Sequence, residues 1–223
     1  LDFSLSSQLA KIRNRRLNKV ERYRTMDFNE FKHKTANLKN LVLPGPEAQH
    51  KLAPIIRIEE LKKIDFTTKN SNKAGVMAVF YPDANHYTHL VLILRKTYKG
   101  VHSNQVGFPG GRVEECDKSL EHTALRETEE EVGIPRDEIT ILAQLTKLYI
   151  PPSDFWVHPY VGILHKTPQF ILQESEVEQV LEVNIDDFLN KENLIKKKLS
   201  TSYANEIEVP AFFLAGHVVW GAT

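Results

Sequence analysis

A chain of 223 residues is long enough to bury one sizeable core, and its one cysteine, Cys116, excludes an intrachain disulfide or a multi-cysteine zinc site. Twenty-nine basic side chains balance 29 acidic ones, which removes the charge argument for a dedicated nucleic-acid or membrane-surface binder. No apolar run approaches the roughly 18–20 residues of a membrane-spanning helix.

The balance hides an uneven distribution. Residues 1–25 carry Lys11, Arg13, Arg15, Arg16, Lys19, Arg22 and Arg24 against Asp2 and Glu21, so the opening is basic and residues 26–223 are acidic to the same extent. The opening is read as an extension or appended leader in front of one domain, residues 26–223. An organelle-targeting segment and an arm for anionic ligands are the other readings that an Arg-rich, acid-poor stretch allows.

Asp27–Asn40 reads as a short helix marked by Phe28, Phe31 and Leu38, broken by Pro44-Gly45-Pro46. Pro54 continues an irregular entry, Leu61–Ile64 suggests a further helical turn, and residues 67–73 form a polar loop. Ala74–Phe80 and Leu90–Leu94 are short apolar runs and read as buried strands. Gly100, Gly107, Gly110 and Gly111, with Pro109, deny regular structure to residues 95–118. Leu120–Val132 is the clearest helix, free of Gly and Pro inside and ended by Gly133 and Pro135. Ile139–Leu148 and Val157–Leu164 read as strands around a Pro151-Pro152-Ser153-Asp154 turn. A strand near Val180–Val183 and a short helix at Asp186–Asn190 follow. Strands on either side of one central helix point to an α/β domain with a mixed sheet.

The chemistry concentrates on that helix. Glu127, Glu129, Glu130 and Glu131 repel one another along Arg126–Ile134, a poor local design for a plain helix. Glu127, Glu130 and Glu131 fall at i, i+3 and i+4 and share one face. Three carboxylates on one face suit a hard divalent cation that keeps room for phosphate oxygens, Mg²⁺ above all. A solvated charged helix face is the plainer reading of the same run. Just upstream, Phe108-Pro109-Gly110-Gly111 supplies backbone that a ligand can approach without Cβ obstruction, and Asp117 adds a further acid. Nine scattered histidines without a His-Glu-x-x-His pair give no zinc signal.

Gly111, Asp117, then Arg126-Glu127-x-x-Glu130-Glu131-x-Gly133-Ile134 resembles the Nudix box, Gly-x5-Glu-x7-Arg-Glu-U-x-Glu-Glu-x-Gly-U with U a bulky apolar residue. Asp117 stands in place of the Glu, the next spacer is eight residues rather than seven, and Thr128 occupies the first U. Arg95 and His102-x-x-Gln105-Val106-x-Phe108-Pro109-Gly110-Gly111 are similar to the signature preceding the box in Nudix coenzyme A diphosphatases, with Gly100 and Asn104 where that subfamily carries Arg and Gly. Val157–Gly162 and Glu176-Val177 are similar to its later landmarks.

The resemblance implies the Nudix fold, an α/β/α sandwich around a mixed β-sheet, and a metal-dependent pyrophosphohydrolase. Glu127, Glu130 and Glu131 would hold Mg²⁺ or Mn²⁺ with a carbonyl of Gly110 or Gly111, and Arg126 would orient Glu127. Glu127 and Glu176 are both candidates for the general base. Arg95, His102, Gln105 and Arg112 would contact substrate, with Arg95 the best placed for the 3′-phosphate of coenzyme A. The expected products are 4′-phosphopantetheine and adenosine 3′,5′-bisphosphate; other nucleoside diphosphate derivatives such as ADP-ribose, and a non-catalytic Nudix-fold binding protein, are the alternatives. A small nucleotide-containing molecule is the expected partner, not a membrane or nucleic acid; a homodimer stays open, and the expected location is cytoplasmic. The resemblance also implies a further helix after Trp220, so the chain is read as ending with that element short or cut away.

Overall fold

The computed structural model describes residues 25–65, 70–97, 104–201 and 204–223. The basic opening, residues 1–24, and His102 lie outside the described residues.

The chain enters through α1 (Phe28–Thr35), whose first turn is capped by the Asp27 carboxylate accepting from Asn29 N–H at 2.8 Å. Phe28 and Phe31 are buried, with the Phe31 ring 4.7 Å from that of Phe80. The helix is shorter than the predicted Asp27–Asn40; only a single 3₁₀ turn, Leu38–Asn40, forms beyond it. Two more helices follow, α2 (Pro46–His50) and α3 (Ile55–Lys62), where the prolines suggested irregular chain. Pro46 opens α2 and Pro54 is the N-cap of α3, positions where a fixed φ and a missing N–H cost nothing. The predicted turn at Leu61–Ile64 is thus the end of a longer helix.

β1 (Asn72–Pro82) is the centre of the main sheet. It runs parallel to β7 (Phe155–Ile163), pairing Asn72 with Phe155 through Phe80 with Ile163. Its other edge is shared. Phe80–Pro82 pair antiparallel with Thr88–Leu90 of β2 (Thr88–Arg95), and Ala74–Val76 pair with β4 (Gly110–Arg112). β2 meanwhile pairs Ile93 and Leu94 with β3 (Val106–Gly107). β1 and β2 therefore part company after one short stretch of pairing, and β3 and β4 line the gap between them. This splay sets Phe108–Gly111 into the sheet, where glycine and proline density predicted irregular chain.

Helix α4 (Leu120–Val132) matches its predicted bounds, starting at the Ser119 cap and ending at Gly133 with φ 73°. It packs flat on β1 because Gly75 has no side chain: a Cβ there would stand 2.2 Å from the Leu120 carbonyl oxygen. Met77, Val79 and Tyr81 of β1 and Val91 and Ile93 of β2 point to this face, joined by Ala124 and Val132 of the helix. The predicted strand Ile139–Leu148 is broken into β5 (Thr140–Gln144) and β6 (Leu148–Ile150), each pairing with a different part of β7.

The alternate residues Ala78, Leu90 and Leu92 build a second core on the opposite face, with Leu181 and Val183 of β8 (Val177–Asn184). α5 (Ile185–Leu189) and an antiparallel sheet of β9 (Leu194–Thr201), β10 (Ala204–Leu214) and β11 (His217–Trp220) cover this core through Phe188, Leu214 and Val219. Burying such an aliphatic side chain contributes roughly 1.5–3 kcal/mol. The β10–β11 hairpin turns on Ala215 and Gly216, both with positive φ. No α-helix follows α5 among the described residues; β11 occupies His217–Trp220, just before the point where the resemblance implies a further helix. The mixed sheet with helices is the α/β fold expected.

Candidate active site

The site is built where α4 crosses the β4 end of the splay. Arg126 is its organiser. Its Nε donates to Asp117 Oδ1 and one Nη2 to Asp117 Oδ2, both at 3.0 Å, and that nitrogen also reaches the Arg112 carbonyl at 3.1 Å. The other nitrogen, Nη1, donates to Glu130 at 2.8 Å and stands 3.0 Å from Glu127. Asp117 accepts further hydrogen bonds from Thr123 Oγ1 and Glu114 N–H, both at 2.9 Å, and Asp117 Oδ1 lies 2.9 Å from His122 Nδ1. The Arg126 guanidinium and these donors hold its carboxyl well below the ordinary range against the opposing effect of burial. Asp117, read from sequence as a further acid before the helix, is a brace for Arg126.

The three glutamates share the helix face but not an environment. Glu131 is 1% exposed and its Oε2 accepts from Gly110 N–H at 2.8 Å. Glu127 is half-buried against β4: a Cβ on Gly111 would stand 2.5 Å from its carboxylate, so that glycine leaves the space the carboxylate fills. The Glu130 side chain is 48% exposed and held by Arg126. Burial pushes the Glu127 carboxyl up while Arg126 draws it down. Among the described residues no three His, Cys, Asp or Glu side chains stand together as a ready cage. Arg126 takes Glu130, and Gly110 takes Glu131, which separates carboxylates that the helical spacing alone would bring together.

The donor set nevertheless fits a hard divalent ion. It consists of carboxylate and carbonyl oxygens only, two of the carboxylates flank side-chain-free backbone at Gly110 and Gly111, and Glu130 is open to solvent.

Glu131 carries a measurable signature. Burial raises its carboxyl from 4.5 to about 7, with Arg95 and the Gly110 N–H opposing. A raised carboxyl favours the folded state below its unfolded value, and that stability is lost as pH rises toward the folded value. Metal-free protein is therefore expected to lose about 3 kcal/mol at this position between the two values. Urea unfolding across that range in the presence of chelator should show the loss in the natural chain and not in Glu131→Gln. Equal pH slopes in the two proteins would contradict the assignment.

A cavity of about 650 Å³ opens beside the glycines. Arg95, Gln105, Gly110, Gly111 and Arg112 line it, so three of the four sequence-derived substrate residues face one space. Glu176 is exposed, in the turn before β8, close enough to raise the carboxyls of both Glu127 and Glu131. Sequence reasoning missed the wall made by α2 and α3, including Gln49, His50 and Arg57, and the contribution of Trp220–Thr223. Gln49 Nε2 ties that wall to the Thr146 carbonyl at 2.9 Å. A contact across nearly one hundred residues leaves no periodic signal. The Tyr149–Trp156 segment forms another side, with Lys147 Nζ 4.5 Å from the Trp156 ring centroid.

Residues 71–203 match the family model described as NUDIX domain, and the chain belongs to that family. It is 36% identical over 115 residues to an uncharacterized Nudix hydrolase NudL of Pectobacterium atrosepticum, covering 49% of this chain and 57% of that protein. It is 29% identical over 143 residues to the peroxisomal coenzyme A diphosphatase ndx-8 of Caenorhabditis elegans, covering 60% of this chain and 61% of that protein. The chain thus spans less than two thirds of the length of either relative. Among solved structures, the NUDIX domain of Shewanella oneidensis NrtR complexed with ADP ribose is similar over 59% of this chain and 85% of that one, with 22% identity and a TM-score of 0.44. No helix of the described residues is long and apolar enough to cross a membrane.

Proposed function

We propose that the chain is a divalent-metal-dependent pyrophosphohydrolase that cleaves coenzyme A or its derivatives to 4′-phosphopantetheine and adenosine 3′,5′-bisphosphate. The observation that carries the reading is the packing of Glu127 and Glu131 around the Gly110-Gly111 backbone at the edge of a cavity lined by Arg95, Gln105 and Arg112. The relative named as a coenzyme A diphosphatase supports the choice of substrate.

Glu127, Glu130 and Glu131, with a carbonyl of Gly110 or Gly111, are the residues that would hold Mg²⁺ or Mn²⁺. When bound, the ion neutralises charge building on the pyrophosphate and lowers the pKa of a water. The chain itself fixes the geometry. Arg126 orients Glu127 and Glu130 and is braced by Asp117. Gly111 leaves the Glu127 carboxylate room beside the backbone. Glu127 and Glu176 are the two carboxylates able to accept the proton of the attacking water. Arg112, exposed at the cavity rim, and Gln105 offer donors to the substrate's phosphates and amides.

Mass-spectrometric product analysis tests the reading, with coenzyme A and Mg²⁺ or Mn²⁺ beside a Glu130→Gln control. Phosphopantetheine is expected only with metal, and in reduced amount from the control. Turnover of ADP-ribose with coenzyme A left intact would keep the chemistry and reject the substrate. Inertness toward every nucleoside diphosphate derivative of a substrate panel would favour the non-catalytic binding protein instead.

A further inference from the structure

Arg95 was expected to meet a substrate phosphate, but its guanidinium is otherwise engaged. It closes β2 beside Gly110, and its Nη2 donates to the Gly110 carbonyl at 2.6 Å. The same nitrogen lies 3.4 Å from Glu131 Oε1, while Glu131 Oε2 takes the Gly110 N–H at 2.8 Å. Guanidinium, carboxylate and the Gly110 backbone form one closed ring.

Two of the oxygens in that ring, the Gly110 carbonyl and the Glu131 carboxylate, belong to the donor set for a divalent ion. A buried carboxylate needs a charge or hydrogen-bond partner, and at 1% exposure Glu131 cannot obtain one from bulk water. Arg95 supplies the positive charge. Its side chain remains 26% exposed and borders the cavity, so it has volume to turn into. A guanidinium and a dication repel each other when drawn to the same oxygens.

We infer that Arg95 is the resident counter-cation of the metal-free site: it holds Glu131 and the Gly110 carbonyl in register until a divalent ion takes them, and is then released into the cavity. This rests on the metal-dependent reading above. Arg95 is a positioning residue in the empty site, and becomes available for planar, bidentate contact with phosphate oxygens only after the ion has displaced it. The two roles of Arg95, carboxylate partner and phosphate ligand, are then successive.

The test measures Mn²⁺ affinity without substrate, counting free Mn²⁺ by electron paramagnetic resonance at mildly alkaline pH. Removing a competitor that makes charged hydrogen bonds is expected to tighten Mn²⁺ binding about tenfold in Arg95→Gln, with Arg95→Lys in between. Arg95→Gln should melt lower than the natural chain without metal and recover most of the difference when Mn²⁺ is added. A merely structural Arg95 would lower melting equally in both conditions. Unchanged or weakened Mn²⁺ binding in a folded Arg95→Gln protein overturns the inference while leaving the hydrolase reading in place. Absence of Mn²⁺ binding in the natural chain overturns both. An independent check reads the natural chain itself: its Arg95 Nε–Hε resonance, identified by its absence from the spectrum of Arg95→Lys, should shift as Mg²⁺ is added. A resonance that stays fixed while Mg²⁺ binds overturns the inference as well.

Discussion

Glu127→Gln is expected to lower kcat/KM on coenzyme A by about 10²–10⁴-fold, the range spanned by removal of a positioned acid–base group. Gln keeps the shape that fits beside Gly111, where the carboxylate fills the space that a side chain would take. It loses the charge that faces Arg126 Nη1 at 3.0 Å. Melting temperature should therefore change little, because burial already opposes the ionised form and the neutral amide removes that opposition. Glu176→Gln is expected to cost less. Glu176 is exposed, with Gln173 Nε2 3.5 Å from its carboxylate, whereas Glu127 is half-buried beside Gly111 and held by Arg126. Steady-state kinetics of the two variants decide the matter. An equal or larger loss in Glu176→Gln would move the proton-accepting role to that residue.

This difference between two glutamates was invisible in the sequence. Helical spacing places Glu127, Glu130 and Glu131 on one face, and α4 does run from Leu120 to Val132 with all three on it. Spacing says nothing about depth. Glu131 is buried because Gly110 approaches α4 closely, and that approach follows from the splay of β1 and β2, a matter of long-range strand register. The same holds at Asp117. The sequence marks Asp117 only as a further acid before the helix, whereas the structure closes five hydrogen bonds on it. α4 and the inner strands were legible because their signals are local: Gly133 as a left-handed cap, and apolar runs too short for helices. Prolines misled at α2 and α3, since the same residue that ends one element starts the next. The terminal sheet went unread because Leu194–Thr201 carries three consecutive lysines on an edge strand, which masks its alternation.

Arg126→Gln is expected to be the most destabilising single change at the site, by about 3–5 kcal/mol, because it leaves a buried carboxylate without its counter-charge. The Asp117 side chain is wholly shielded from solvent, and Arg126 meets it with two parallel hydrogen bonds. His122 and Thr123 remain as partners but neither supplies a permanent charge. The pH dependence fixes the cause. Arg126 depresses the Asp117 carboxyl, so the pair's stabilisation is present above the unfolded value of about 3.9 and fades as pH falls through it toward the depressed folded value. The gap between the natural chain and Arg126→Gln should accordingly be widest near neutrality and close as the solution is acidified below about pH 4. Asp117→Asn should cost less, since Arg126 keeps Glu127 and Glu130. The double variant should fall short of the sum of the two losses, as expected of residues in one network. Denaturant unfolding of all four proteins across pH measures this. A gap that stays constant on acidification would place the loss in the packing of Arg126 rather than in its charge.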